Sequence, residues 1–262
     1  MQYVFDHWDE IARSLKERPC VFFLDYDGTL SRIVDDPDAA VMTPRMRSIL
    51  ADMVAAGQDV AVVSGRELRD VAQRVGVRGI TYVGSHGLDV SGPGISYHKP
   101  LPASYRKALD DILSVLRIRC RGISGAIVED KGNVVTLHFR KVRREQEQDL
   151  RIAFHEATVR HLVRETVRVA SGKKVLEVRP AFVWDKGKIV LWLLARYRFG
   201  GKERGVPLYI GDDQTDEDAF TALNGKGFTI HVGNRGRSAA QYFLLDTSDV
   251  YRFLRRQHKE RQ

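Results

Sequence analysis

Five short, almost wholly apolar runs constrain this chain most: VFFL (21–24), VAVV (60–63), ITYV (80–83), LYI (208–210) and FTIHV (228–232). They lack the polar-out alternation of a strand with one wet face. Such runs suit parallel strands covered by helices on both sides. Helical stripes lie between them. Thr43 followed by Pro44 makes a helix start, and Met46, Ile49, Leu50, Met53 and Val54 recur at helical spacing. Gly57 ends that helix before the next strand. Ile189, Val190, Leu193, Leu194 and Tyr197 form another stripe ahead of the last two strands. Strand and helix in alternation predict an α/β fold around a parallel, Rossmann-like sheet.

The middle of the chain follows a different pattern. Tyr105, Leu109, Ile112, Leu113 and Leu116 mark a helix, and AIVE (126–129) and VVTLHF (134–139) flank a turn at Asp130-Lys131-Gly132-Asn133. Val135, Leu137 and Phe139 alternate with Thr136 and His138, which predicts a sheet with one solvated face. Leu150, Ala153, Phe154 and Ala157 mark a second helix, and two strands are expected near 164–170 and 174–179. This order predicts an α+β layer over 99–181, inserted between the core segments 1–98 and 182–262. A chain of 262 residues has room for both.

Candidate chemistry gathers where the apolar runs end. In VFFLDYDGTL, Asp25 and Asp27 stand two residues apart at the carboxyl end of a strand, so both can face one region. LYIGDDQTDEDAF repeats the pattern with Asp212 and Asp213 after Gly211. Thr215 is suited to cap the helix that follows, and Asp216, Glu217 and Asp218 suit its positive end. Acids gathered at two strand ends repel one another unless a divalent cation neutralises them, and carboxylates without His or Cys favour Mg²⁺. VAVVSGR offers the Ser64 hydroxyl and the backbone N–H groups of a turn at Gly65 and Arg66. WDKGKIV places Lys186 at a helix start, where it can neutralise a phosphate or a carboxylate. His86, after another strand end, reads equally as a hydrogen-bonding core residue or a substrate contact.

Charge and cysteine content exclude several classes. Forty-two Lys and Arg against 34 acids leave a formal charge of +8. The bases cluster in RKVRREQEQDLR and in the tail RFLRRQHKERQ, without the interleaved aromatics of a single-strand nucleic-acid groove. No nucleic-acid partner is expected, and residues 255–262 are expected to fray. No apolar run reaches the ~18 residues of a membrane span. Cys20 and Cys120, far apart in sequence, form neither a disulfide framework nor a metal knuckle. The expectation is a cytoplasmic monomer without a membrane partner.

Asp25-x-Asp27-Gly28-Thr29, Ser64, Lys186 and Asp212-Asp213 resemble, in order, the four motifs of the haloacid dehalogenase (HAD) superfamily. The resemblance implies that Asp25 attacks phosphorus to form an aspartyl-phosphate, while Asp27 protonates the leaving alcohol and then activates water. It implies Mg²⁺ held by Asp25, the Asp27 carbonyl and Asp212, with Asp213 in support. Ser64, Gly65 and Lys186 would bind phosphoryl oxygens.

GDDQTDEDAF, together with LDYDGTLSRIVDDPDAAVMTP, VVSGR and YVGSHGLDV, narrows the resemblance to the trehalose-6-phosphate phosphatase family, over about 19–247. VEDKGNVVTLHFR and GKKVLEVRP resemble that family's cap segments, which implies that Glu129, Lys131, Arg140 and Glu177 line a sugar pocket. Arg66 and His86 complete the candidate substrate contacts. The function implied is a Mg²⁺-dependent phosphatase of trehalose biosynthesis whose cap closes over a small-molecule sugar phosphate. Three rivals stand beside it: a related phosphatase for sucrose phosphate, a sugar-phosphate sensor without turnover, and, from net charge alone, a nucleic-acid binder.

Overall fold

The computed structural model describes the chain except residues 17, 35, 173, 182–184, 200–204, 234–235 and 262. Asp35, Lys173, Trp184 and Gln262 of the segments read above, and the expected junction at 182, therefore lie outside the described residues. The chain divides into two compact units, one of residues 1–98 with 184–262 and one of residues 99–183.

In chain order, the first unit contains β1 (Gln2–Tyr3), α1 (Trp8–Lys16), β2 (Cys20–Leu24), α2 (Pro44–Ala55), β3 (Asp59–Val63), α3 (Leu68–Val75), β4 (Thr81–Gly84), β5 (Asp89–Gly92) and β6 (Ile95–His98). The second contains α4 (Ala103–Arg119), β7 (Ile127–Asp130), β8 (Val135–His138), α5 (Glu147–Val163), β9 (Val167–Gly172) and β10 (Val175–Pro180). The first unit resumes with α6 (Lys186–Phe199), β11 (Val206–Gly211), α7 (Glu217–Leu223), β12 (Phe228–Val232), β13 (Tyr242–Leu244) and α8 (Thr247–Lys259).

Within the first unit the strands run in the order β1-β13-β12-β11-β2-β3-β4-β5-β6. Pairing is parallel from β1 to β4 and antiparallel across β4, β5 and β6. Successive residues of each central strand enter opposite cores, which is why the apolar runs show no alternation. Phe22, Leu24, Val60, Val62, Leu208 and Ile210 pack with α1, α2 and α8. Val21, Phe23, Ala61, Val63 and Tyr209 pack with α6 and α7 on the other face. At the start of α2, the Thr43 hydroxyl accepts from the Met46 N–H at 3.3 Å, as the sequence predicts.

In the second unit β7-β8-β10-β9 form an antiparallel sheet. Gly132, at φ +72°, donates its N–H to Asp130 Oδ1 at 2.8 Å in the expected turn. Val135, Leu137, Leu176 and Val178 are buried, as are Ile112 and Leu116 of α4 and Leu150 and Phe154 of α5.

Three local expectations require correction. The sheet extends beyond the five apolar runs, through β13, which lies between β12 and the edge strand β1, and through the hairpin β5–β6 at the other end. Thr136 is fully buried and not on a wet position. The tail is helical to Lys259, with Gln257 and His258 buried. Its bases cover aromatic rings: the Arg256 guanidinium lies 4.3 Å from the Trp8 ring centre and Arg252 lies 4.0 Å from that of Phe5. Trp8 Nε1 in turn donates to Glu260 at 2.7 Å.

Candidate active site

β2 and β11 lie side by side, and from them the chain winds in opposite directions, to β3 and β4 on one side and to β12 and β13 on the other. Open α/β sheets bind ligands in the crevice at the carboxyl ends of such a pair. Asp25 follows β2 directly, and its N–H donates to Ile210 O of β11 at 2.9 Å. Asp212 follows β11, Ser64 follows β3, and Lys186 is the first residue of α6. The four sequence signals therefore converge on one edge of one sheet.

Lys186 lies at the centre of the acids. Its Nζ stands 2.7 Å from Asp25 Oδ1, 2.8 Å from Asp216 Oδ1 and 3.9 Å from Asp213 Oδ1. Burial opposes the charge on Lys186, but Asp216 and Asp25 hold its pKa well above the usual lysine value. Burial raises the Asp25 carboxyl well above its ordinary range against the pull of Lys186, with Asp216 and Asp212 raising it further. Asp212 is pushed up to about 8 by burial and by its neighbours Asp216 and Asp213. One ammonium does not neutralise this many carboxylates in a dry site.

The arrangement fits a hard divalent cation. Carboxylate oxygens of Asp25, Asp212 and Asp216 lie within 4.8 Å of one another. Asp212 Oδ1 is buried without a hydrogen-bond partner among the described residues. An all-oxygen donor set of this kind favours Mg²⁺-type ions over zinc. Gly28 keeps the space free: at φ +85°, a Cβ there would lie 2.1 Å from Asp212 Oδ2.

Asp216 is the residue that sequence reasoning missed. It was read as a helix-end acid, yet it is fully buried and points inward. Its Oδ1 accepts from Tyr209 Oη at 2.6 Å, and its Oδ2 accepts from the N–H groups of Asp212 and Asp213 at 3.0 Å. Nor does Thr215 cap α7; its hydroxyl donates to Asp213 Oδ1 at 2.7 Å. Asp213 Oδ1 also accepts from Thr215 N, so this half-exposed side chain braces the turn and stands outside the three-carboxylate cluster. The available signal was the crowding of Asp212, Asp213 and Asp216 before α7, more acid than a helix start requires.

Ser64 is buried, and its hydroxyl accepts from the Arg66 N–H at 3.1 Å. His86, at φ +56°, presses its ring against Gly65, where a Cβ would come within 2.5 Å of it. Asp27 is more open than Asp25, and the Arg66 guanidinium grips both of its carboxylate oxygens at 2.7 Å.

In the second unit, cross-strand pairing places Glu129, Thr136 and Glu177 in one row across β7, β8 and β10. Side chains opposite one another share a face, so both predicted acids lie on the side away from Val128, Leu137 and Leu176. Lys131 Nζ stands 3.5 Å from Glu129 Oε2, and His138 Nε2 stands 2.7 Å from the same atom. The His138 hydrogen bond, opposed by burial and helped by Lys131, lowers the Glu129 carboxyl below its usual range. Glu177 accepts from Arg179 at 2.5 Å. His138 and Arg179 were not singled out from sequence, although their period-two spacing from Thr136 and Glu177 carries the signal. Arg140 is exposed in the turn after β8.

The chain is similar to known proteins over most of its length. The trehalose-phosphatase family model matches residues 23–248. Trehalose-phosphate phosphatase B of Arabidopsis thaliana is 38% identical over 261 residues, covering 95% of this chain and 69% of that protein. Trehalose-phosphate phosphatase of Mycobacterium tuberculosis H37Rv is 40% identical over 234 residues, covering 88% of this chain and 58% of that protein. The chain thus spans less than two thirds of the mycobacterial relative's length. Among solved structures, the C-terminal domain of Candida albicans trehalose-6-phosphate phosphatase superposes with a TM-score of 0.79 at 24% identity, covering 96% of each chain. A haloacid dehalogenase-like hydrolase from Bacteroides thetaiotaomicron superposes with a TM-score of 0.67 at 16% identity, covering 91% of this chain and 99% of that one. The expected α/β fold and HAD-type core are borne out.

Proposed function

Because the chain belongs to the trehalose-phosphatase family, we propose that it hydrolyses trehalose 6-phosphate to trehalose and inorganic phosphate in the cytoplasm, as a monomer. The observation that carries the reading is the buried Asp25 carboxylate, 2.7 Å from Lys186 at the switch point of a parallel sheet.

Asp25 is the nucleophile, and the Lys186 ammonium beside it favours its ionised form against the effect of burial. Its oxygen forms a bond to phosphorus as the bond from phosphorus to the sugar oxygen breaks. Asp27 gives its proton to that departing oxygen. Asp27 then takes a proton from the water that hydrolyses the aspartyl-phosphate, which restores Asp25 and releases phosphate. The Ser64 hydroxyl, the N–H of Gly65 and Lys186 bind phosphoryl oxygens. Asp25 and Asp212 would hold Mg²⁺ together with the Asp27 carbonyl, while Asp213 supports the turn. Asp216, its oxygens taken by Lys186, Tyr209 and two backbone N–H groups, holds Lys186 and the Asp212 backbone in place. When bound, Mg²⁺ supplies positive charge against the phosphoryl oxygens and the acids. Fixed charge and a covalent intermediate suit an ester whose hydrolysis has been accelerated by up to ~10²¹-fold in enzymes.

Glu129, Lys131, Arg140 and Glu177 of the second unit recognise the sugar, since hydroxyls need donors and acceptors together. Phosphate release from trehalose 6-phosphate, sucrose phosphate and glucose phosphate tests the reading. Trehalose 6-phosphate should lead by at least ~10²-fold in kcat/KM, because a site built to bond particular hydroxyls penalises their absence. A lead for sucrose phosphate would assign the related sugar phosphatase. Binding without release would assign a sensor.

A further inference from the structure

Arg66 belongs to neither the acid cluster nor the phosphate-binding turn as the proposed chemistry uses them. Nε and Nη2 of its guanidinium each donate to one oxygen of Asp27 at 2.7 Å. The remaining arm, Nη1, donates to Asp70 Oδ2 at 3.0 Å. Asp70 is itself held from the next turn of α3, where Arg74 Nε donates to its Oδ1 at 2.7 Å. Arg74 then reaches the loop that follows Asp27, donating to Asp38 O at 3.0 Å and to Ala40 O at 3.2 Å. The same loop is fastened to the catalytic segment by Tyr26 Oη, which donates to Ala40 O at 3.0 Å.

This geometry has a direction. A long arginine side chain loses about 2 kcal/mol of rotamer freedom when fixed. Here Asp70 and the ring of Tyr26, 5.5 Å from the guanidinium carbon, fix it independently of Asp27. The fork is set in advance and imposes its plane on Asp27, whose side chain is 43% exposed against 12% for Arg66. A surface ion pair of two mobile partners would impose nothing.

We propose that Arg66 is a positioning residue, braced by Asp70 and Arg74, that aims the Asp27 carboxyl at the leaving oxygen of the substrate. The inference rests on the reading of Asp27 as the general acid, and the test separates the two. Two substrates are compared by kcat/KM, which reports events up to departure of the alcohol. Trehalose 6-phosphate has an alkyl leaving group that needs a proton, whereas dinitrophenyl phosphate leaves as a stable phenolate. Asp27→Asn should lose activity on the sugar phosphate far more than on the aryl ester. Equal losses there would remove the general-acid reading itself.

With that reading in place, Arg66→Gln should lower kcat/KM for trehalose 6-phosphate by about 10²-fold, the low end of general-acid contributions, and leave the aryl ester within about threefold. The aryl activity reports that the variant is folded. Arg66→Lys keeps the charge but not the fork, and should not restore the loss. Asp70→Asn should show a smaller loss of the same kind and add nothing in the Arg66→Gln background. Equal losses on both substrates would make Arg66 a phosphate ligand or a structural residue and overturn the proposal. Full recovery in Arg66→Lys would overturn it as well, since charge alone would then suffice.

Discussion

Lys186 and Asp216 show how a buried charge is kept in this site. Asp216 accepts four hydrogen bonds, from Lys186, Tyr209 and two backbone N–H groups, so its removal would orphan four donors at once. Asp216→Ala should therefore destabilise the metal-free protein by about 3–5 kcal/mol, as expected for breaking a buried pair. Denaturant unfolding measures this directly. The rise in Tm on adding Mg²⁺ should also shrink, because the Asp212 backbone N–H loses the carboxylate that anchors it. At this scale much of the site was legible. Asp25 and Asp27 announced themselves by alternate spacing at the end of an apolar run, and Asp212 by the same device. Asp216 was not legible, because an acid before a helix already has an ordinary explanation in the helix dipole. Only its burial and its inward bonds distinguish it. Sequence alone also gave no sign that the three guanidinium nitrogens of Arg66 engage Asp27 and Asp70.

At the scale of elements, the site depends on strands that stop in register. β2 and β11 pair through Ile210 and Leu24, and each hands its next residues to the crevice. Gly28 makes the close approach of the two strand ends feasible. Gly28→Ala should push Asp212 aside and lower kcat on an aryl phosphate by about 10²-fold, the scale of a 1 Å misplacement. Gly57→Ala is the control: it shares the positive φ, at +78°, but meets nothing within 4 Å. It should lose stability only, by somewhat more than about 1 kcal/mol. An equal fall in kcat for both variants would show that backbone strain, not the approach to Asp212, is responsible. Long apolar runs made β2, β3, β4, β11 and β12 readable. β1, β13 and the β5–β6 hairpin were not, because strands of two to four residues are too short to carry a pattern and take their pairing from the sheet. α8 was misjudged for a related reason: its bases look like a solvated tail until the aromatic rings of Phe5 and Trp8 are seen beneath them.

For the whole molecule, the formal charge of +8 proved less informative than where the charges lie. Acids concentrate at the carboxyl ends of β2 and β11, while bases in α8 pack on aromatics and those of β10 pair within a polar sheet face. No helix among the described residues is long and apolar enough to cross a membrane. In the proposed function, phosphoryl transfer belongs to the first unit and sugar recognition to the second. Turnover of trehalose 6-phosphate and of a small aryl phosphate by Asp25→Asn and by Glu129→Ala tests that division most directly. Asp25→Asn should abolish both activities, and Glu129→Ala should cut the sugar phosphate by at least ~10-fold, one lost bond to a buried hydroxyl, while sparing the aryl ester. Equal loss of both activities in Glu129→Ala, or survival of either in Asp25→Asn, would contradict it.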